Sequence, residues 1–314
     1  MRTQLGWMAA ACVCACGGGP KVLANGEVAP LAITADGNGL YWLATAPSGA
    51  PAGVVRGLSG GDSALTLAAG FNGPTAMAAS SGTLFFASSD GNVRSVSTQG
   101  GPVSLISAEP AGYTPFAVAV LGSTVYWLTN LPAVENVHEG AAQLASAPVG
   151  GGPRTVIAEF PPYITDSLYA AMLTTSNGTL FWAQSDGAIQ YLDQGGAVQS
   201  LAKHQGQLSG LAIAGGNAYY LQFFSETVAL VRKRLGTLDS PQVLVPLPVT
   251  LSVANDDSSL YIAGPTSVSI SSVSLPDGAL STLYSDSHGV SSIALGASAV
   301  FAATQDGRIL RIDR

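Results

Sequence analysis

One short motif recurs seven times along the chain: Leu40-Tyr41-Trp42, Leu84-Phe85-Phe86, Val125-Tyr126-Trp127, Leu180-Phe181-Trp182, Ala218-Tyr219-Tyr220, Leu260-Tyr261-Ile262 and Val300-Phe301-Ala302. The middle aromatics stand at 41, 85, 126, 181, 219, 261 and 301, so successive gaps are 44, 41, 55, 38, 42 and 40. Self-similarity at a period of about 40 to 50 marks units that cannot bury their hydrophobic faces alone and must stack in an array or a ring.

Each copy carries signals for four strands. A run of Ala and β-branched residues comes first, as in Leu31-Ala32-Ile33, Ala117-Val118-Ala119-Val120, Leu211-Ala212-Ile213 and Ile293-Ala294-Leu295. Small side chains on both faces suit a crowded innermost strand. The aromatic strand follows, then a turn and a third strand in Ser89-Asp90-Gly91-Asn92-Val93, Ser185-Asp186-Gly187-Ala188-Ile189 and Gln305-Asp306-Gly307-Arg308-Ile309. Asp-Gly between strands is a strong hairpin signal, because the turn needs positive φ angles that glycine accepts. A Gly-rich turn then introduces a fourth strand, as in Gly100-Gly101-Pro102-Val103-Ser104-Leu105 and Gly195-Gly196-Ala197-Val198-Gln199-Ser200-Leu201. Four short strands per repeat predict the blade of an all-β propeller, with seven four-stranded antiparallel blades; six or eight are the alternative counts.

The seventh copy reaches Arg314 directly after its third strand, Ile309-Leu310-Arg311-Ile312. Its missing fourth strand matches the other end of the chain. Gly17-Gly18-Gly19-Pro20-Lys21-Val22-Leu23-Ala24 repeats the pattern of Gly150-Gly151-Gly152-Pro153-Arg154-Thr155-Val156-Ile157-Ala158. The ring is therefore expected to close through its own N-terminal strand, which removes an open sheet edge. Residues 17–314 read as a single domain.

The blades resemble exported bacterial propeller repeats related to the YWTD and NHL propellers, on the strength of the aromatic strand, the G-x-I turn and the Gly-Gly turn. The pattern departs in blades 5 to 7, where Tyr220, Ile262 and Ala302 stand in place of Trp. Such families include binders, scaffolds and enzymes, so the resemblance implies architecture and does not select a function.

Only 10% of residues are charged and the formal net charge is −7. An acidic chain with scattered Lys and Arg offers no footprint for nucleic acid. Arg232-Lys233-Arg234, the one basic run, alternates sides along a strand and makes no continuous patch. Beyond the N-terminus no apolar run approaches the length of a spanning helix.

The N-terminus is different. Met1 and Arg2 precede an apolar stretch over residues 5–15, and all three cysteines lie at 12, 14 and 16. Val13-Cys14-Ala15-Cys16-Gly17 resembles a bacterial lipoprotein signal, which implies cleavage before Cys16 and lipid attachment to its thiol. Residues 1–16 are then an export signal, and membrane contact is through the lipid anchor alone. An ordinary secretory signal, or a retained apolar N-terminus, are the alternatives. The absence of cysteine from residues 17–314 suits an oxidising compartment. The expected location is the cell envelope, the periplasm or outside the cell.

Loops between blades share one face with the turns between second and third strands. Phe71, Asn72, Tyr113, Tyr163, Asp166, His204 and His288 are the ligand-binding candidates there, with Glu27 and Asp286 beside them. Aromatic and amide side chains around a central opening suit a sugar, a peptide or a polar small molecule. Two histidines with a carboxylate are the minimum for a metal-dependent hydrolase or lyase in the central funnel, which is the alternative function. No catalytic residue, metal ligand set or cofactor is assigned. The insertion around Glu135, His138 and Glu139 lacks a metalloprotease frame and reads as a solvated loop shaping recognition. The leading reading is an envelope binding or scaffold protein whose partner is an envelope protein or polysaccharide.

Overall fold

Every copy of the aromatic motif forms the second strand of a four-stranded antiparallel sheet, and its side chains alternate between the two neighbouring blades. The computed structural model describes residues 19–46, 52–58, 63–131, 142–160, 172–184, 187–203, 206–224, 227–237, 239–247, 252–264 and 269–314. Six blades run in simple sequence order. Blade 1 comprises Val28–Ala35, Leu40–Thr45, Ala52–Leu58 and Leu65–Asn72, and blade 2 comprises Pro74–Ser80, Thr83–Ser88, Asn92–Ser97 and Ser104–Ala108. Blade 3 holds Thr114–Leu121, Thr124–Asn130, Ala142–Pro148 and Thr155–Phe160; blade 4 holds Met172–Ser176, Thr179–Ala183, Ile189–Leu192 and Val198–Ala202. Blades 5 and 6 follow with Leu208–Ala214, Asn217–Phe224, Thr227–Arg234 and Gln242–Leu247, then Ser252–Asn255, Ser259–Ala263, Ser269–Ser274 and Leu280–Ser285.

Blade 7 is assembled from both chain ends. Val290–Leu295, Ala299–Thr304 and Ile309–Asp313 supply its first three strands, and Lys21–Ala24 supplies the fourth, with Lys21 opposite Arg311 and Val22 opposite Leu310. The fold is a seven-bladed β-propeller, and the count of seven is settled.

Among the described residues the hydrophobic core divides into seven clusters, one in each seam between neighbouring blades. Trp42, Phe86, Trp127, Trp182, Tyr220, Ile262 and Ala302 face the preceding blade. Tyr41, Phe85, Phe181, Tyr219 and Tyr261 face the following one. Successive strand residues point to opposite sides, so one motif fills two seams. This explains how blades 5 to 7 keep the fold without Trp. Ile262 and Ala302 are still buried, and only the seam volume they fill is smaller.

Short polar side chains stitch the innermost strands together. Thr75 Oγ1 donates to Pro115 O at 2.7 Å, Asn255 Nδ2 donates to Ile213 O at 3.1 Å, and Ser252 Oγ accepts from Ile293 N at 3.1 Å. Each bond crosses from one blade to the next, satisfying a backbone group on the free inner edge of a sheet.

Antiparallel order fixes which loops lie together. First strands begin, second strands end, third strands begin and fourth strands end on one face, called here the loop face. The chain enters its closing strand Lys21–Ala24 from the opposite face.

Candidate functional site

On the loop face, the turn over residues 305–308 of blade 7 gathers groups from two seams. Gly307 adopts φ +87°, which the hairpin needs and a side chain would resist. Its carbonyl accepts from Glu27 N at 3.0 Å, while Gln305 N donates to Gly289 O at 2.9 Å. The turn is thereby fixed against both the entry to blade 1 and the connection between blades 6 and 7.

Arg308 leaves this turn and bridges two carboxylates. Its Nη2 donates to Asp286 Oδ2 at 2.5 Å and its Nε to Asp306 Oδ2 at 2.7 Å. Tyr284 Oη donates to Asp286 Oδ2 at 2.7 Å, Ser287 N donates to Asp286 Oδ1 at 2.5 Å, and Thr304 Oγ1 donates to Asp306 Oδ1 at 2.6 Å. Burial opposes ionisation of Asp286, but the bonds from Tyr284, Arg308 and Ser287 and the charge of Arg308 outweigh it and hold its carboxyl far below the usual range. Asp306 is lowered in the same way by Thr304 and Arg308. Arg308 is correspondingly raised, chiefly by its bond to Asp306.

His288 lies at the edge of this cluster and is half exposed. Its Nδ1 sits 3.0 Å from Ser287 Oγ and 3.4 Å from both Asp286 Oδ1 and Asp306 Oδ2. Two carboxylates face one guanidinium, so these three groups together carry one negative charge in excess. These aspartates act as fixed charges, since groups held ionised far below neutrality do not shuttle protons at pH 7.

The theme recurs at other seams. Asp90 is gripped by Arg94 through Nη1 at 3.0 Å and Nη2 at 2.6 Å. Burial pushes its pKa up, but the bonds from Arg94, Ser88 and Asn92 win and bring it from 3.8 to about 2. At the entry to blade 3, Glu109 Oε1 accepts from Trp127 Nε1 at 2.5 Å and from Arg154 Nε at 2.9 Å, with the carboxylate side chain fully buried. Glu27 meets Arg56 Nη2 at 3.3 Å at the entry to blade 1. The basic run of blade 5 is also accounted for: Lys233 is buried, donating to Thr237 O and Asp239 O, while Arg232 turns the other way to Gln242.

The sequence candidates fall at different places on this face. His288 is in the blade 7 cluster. Asn72 ends the fourth strand of blade 1, exposed, and Tyr113 precedes the first strand of blade 3, half-buried beside the turn at Gly91. Phe71 departs from the expectation. It is 3% exposed, with its ring 4.7 Å from that of Phe86, because the apolar surface of this strand end completes the seam between blades 1 and 2. Tyr163, Asp166, His204, Glu135, His138, Glu139 and Cys16 lie outside the described residues.

Arg308 and Asp306 were not singled out by sequence. The Asp-Gly pair is a turn signal in its own right, and the partner Asp286 stands 22 residues away. The one available hint was the recurrence of Arg two residues after Asp306 and four after Asp90. Among the described residues no group of three or more His, Cys, Asp or Glu is arranged to hold a metal ion.

No protein-family model matches the chain, and no curated protein is similar to it in sequence. Solved structures share its architecture. A virginiamycin B lyase from Staphylococcus aureus superposes with a TM-score of 0.67 at 9% identity, covering 94% of this chain and 98% of the lyase. The WD40 propeller domain of Doa1 gives 0.67 at 14% identity, over 94% and 97% of the two chains. A puromycin-hydrolysing peptidase from Mycobacterium tuberculosis gives 0.66 at 15% identity, covering 94% of this chain and 54% of the peptidase. Proteins of such different roles on one architecture establish the fold and leave function to the site.

Proposed function

We propose that this protein is an exported binding or scaffold module that presents the loop face of a rigid ring to an envelope protein or polysaccharide. The observation that carries this reading is the bridging of Asp286 and Asp306 by Arg308. Carboxylates so engaged stiffen the face and give it a fixed charge pattern, which suits recognition better than proton transfer. Asn72, Tyr113 and His288 add adaptable polar and aromatic contacts at three seams.

The lipoprotein-type sequence ending at Cys16 supports a location on the envelope. Residues 17–19 span about 10 Å when extended, and the closing strand begins on the face away from the loops. A lipid on Cys16 would turn the loop face outward from the bilayer. Membrane extraction of wild type against Cys16→Ser tests the anchor, and equal solubility removes it.

The binding role is tested by crosslinking the tagged protein in intact envelopes and identifying captured molecules by mass spectrometry. A stoichiometric partner should be kept by Asp193→Asn on the opposite face. It should be lost from a double variant Asn72→Ala, Tyr113→Ala and from a version without residues 131–139. Metal-dependent cleavage of a glycan or peptide by the purified chain would instead favour a hydrolase or lyase.

A further inference from the structure

The chain contains four Asn-Gly pairs, at 25–26, 38–39, 72–73 and 177–178, and the structure treats them unequally. In the first, Gly26 N donates to Oδ1 of Asn25 itself at 2.8 Å. The backbone nitrogen thus lies alongside the side-chain carbonyl one residue back. Both residues are exposed, and the space where a Cβ of Gly26 would stand is open, with nothing within 4 Å.

We propose that Asn25 is a site of spontaneous modification, converting through a cyclic imide to aspartate and isoaspartate at the junction that closes the ring. The Gly26 amide loses its proton to solvent base, and its electron pair attacks Asn25 Cγ. Nδ2 takes a proton back from solvent and leaves the tetrahedral carbon as ammonia, giving a five-membered imide, and water opens that ring at either carbonyl. Nothing is oxidised or reduced. Proximity of nucleophile and electrophile is the condition such a reaction needs.

Among the described residues, the other three pairs make no such bond from the glycine nitrogen to the asparagine Oδ1. Gly39 N is already donated to Asp36 Oδ1 at 2.9 Å, and its surroundings are crowded by Leu58 O and Tyr41. Asn72 is held in the strand ladder opposite Ala52, and Gly73 lies against Ser89. Asn177 and Gly178 are as exposed and as open as the first pair, and Gly178 at φ +73° matches Gly26 at +75°, but they form the two-residue turn between Ser176 and Thr179, held by pairing on both sides, and no bond from Gly178 N to Asn177 Oδ1 is made there.

The location gives the reaction a consequence. Asn25 and Gly26 join the closing strand Lys21–Ala24 to blade 1, immediately before Glu27, which binds Gly307 O and Arg56. An isoaspartyl link inserts an extra backbone carbon there and adds a carboxylate beside Glu27. Closure of the ring should loosen with age.

The test is incubation of the purified chain at mildly alkaline pH, with peptide mapping that distinguishes aspartate from isoaspartate at all four sites in one sample. Conversion at Asn25 is expected at least about tenfold faster than at Asn177. The thermal midpoint should fall with the converted fraction in wild type and stay constant in Asn25→Ser. Equal or faster conversion at Asn177 overturns the site, and an unchanged midpoint in fully converted protein overturns its link to closure.

Discussion

Glu27 and Glu109 stand at matching positions, each in the connection leading into a blade whose second strand carries Trp and each paired with an arginine of that blade. Their surroundings differ enough to rank them. The Glu109 side chain is fully buried and its Oε1 accepts from both Trp127 Nε1 and Arg154 Nε, leaving only Oε2 without a partner among the described residues, whereas the Glu27 side chain makes one longer bond, and Trp42 Nε1 and Arg56 Nε find none. Replacing a buried, doubly bonded carboxylate weakens charge-assisted hydrogen bonds and leaves a guanidinium that is 17% exposed without its counter-charge, at a cost of about 2–3 kcal/mol. Glu109→Gln should therefore destabilise the protein by that amount, and Glu27→Gln by under about 1 kcal/mol, in urea unfolding. Equal effects would mean that burial of the pair is irrelevant to its strength. Acid provides a second check. The lowered carboxylates Asp90, Asp286 and Asp306 bind protons less readily folded than unfolded. Their contribution is present above the ordinary carboxylate pKa of 3.8 and is lost as pH falls through the folded values, about 2 for Asp90. Thermal midpoints should hold steady down to about pH 5 and drop between about pH 4 and 2; a midpoint undiminished at pH 2 would show that these pairs do not stabilise the fold.

Strand by strand, the sequence declared most of what was built. The aromatic strands, the Asp-Gly turns at 90–91 and 306–307 and the closing strand all use signals that act within a few residues. Period-2 patterning and positive-φ glycines need no knowledge of the rest of the chain. The fourth strands of blades 2 to 4 begin at Ser104, Thr155 and Val198, a few residues past their Gly-rich turns, since residues such as Gly101 and Gly152, at φ +120° and +149°, must first reverse the chain. The arginine bridges were not legible, because Arg308 with Asp286 and Arg154 with Glu109 join residues 22 and 45 apart across a seam. The burial of Phe71 against Phe86 was hidden for a related reason: an aromatic at a strand end looks the same whether the next blade covers it or leaves it open. The closing strand carries its own test. Deleting residues 20–25 removes the outer neighbour of Ile309–Asp313 and takes Leu23 and Ala24 out of the seam between blades 7 and 1, where they pack against the cluster that holds the buried Ile309. The deleted protein should unfold at lower urea as a whole, and a peptide of residues 17–27 added in trans should restore part of the loss. Independent unfolding of blade 7, with the rest unchanged, would refute the view that the ring stands or falls together.

At the scale of the ring, the seven clusters of described core residues each span two neighbouring blades, so every blade contributes to two of them. The one break in backbone continuity lies inside blade 7, where the third and fourth strands come from opposite ends of the sequence. Asp313-Arg314 placed before Gly17-Gly18-Gly19-Pro20-Lys21 reproduces the order Pro148-Val149-Gly150-Gly151-Gly152-Pro153-Arg154 that turns the chain within blade 3. Val149 and Arg314 even make the same backbone bond, to Ser123 O and Ser298 O of their own second-strand hairpins. A gene rearranged so that Arg314 runs directly into Gly17, with new ends opened between blades 3 and 4, should encode the same ring. Its unfolding midpoint should match or exceed that of the parent, and a markedly lower one would mean that the order of synthesis matters to closure. A ring of blades closed by strand pairing then has no privileged first strand, and its order of reading is punctuation laid on a sentence that makes sense from any clause.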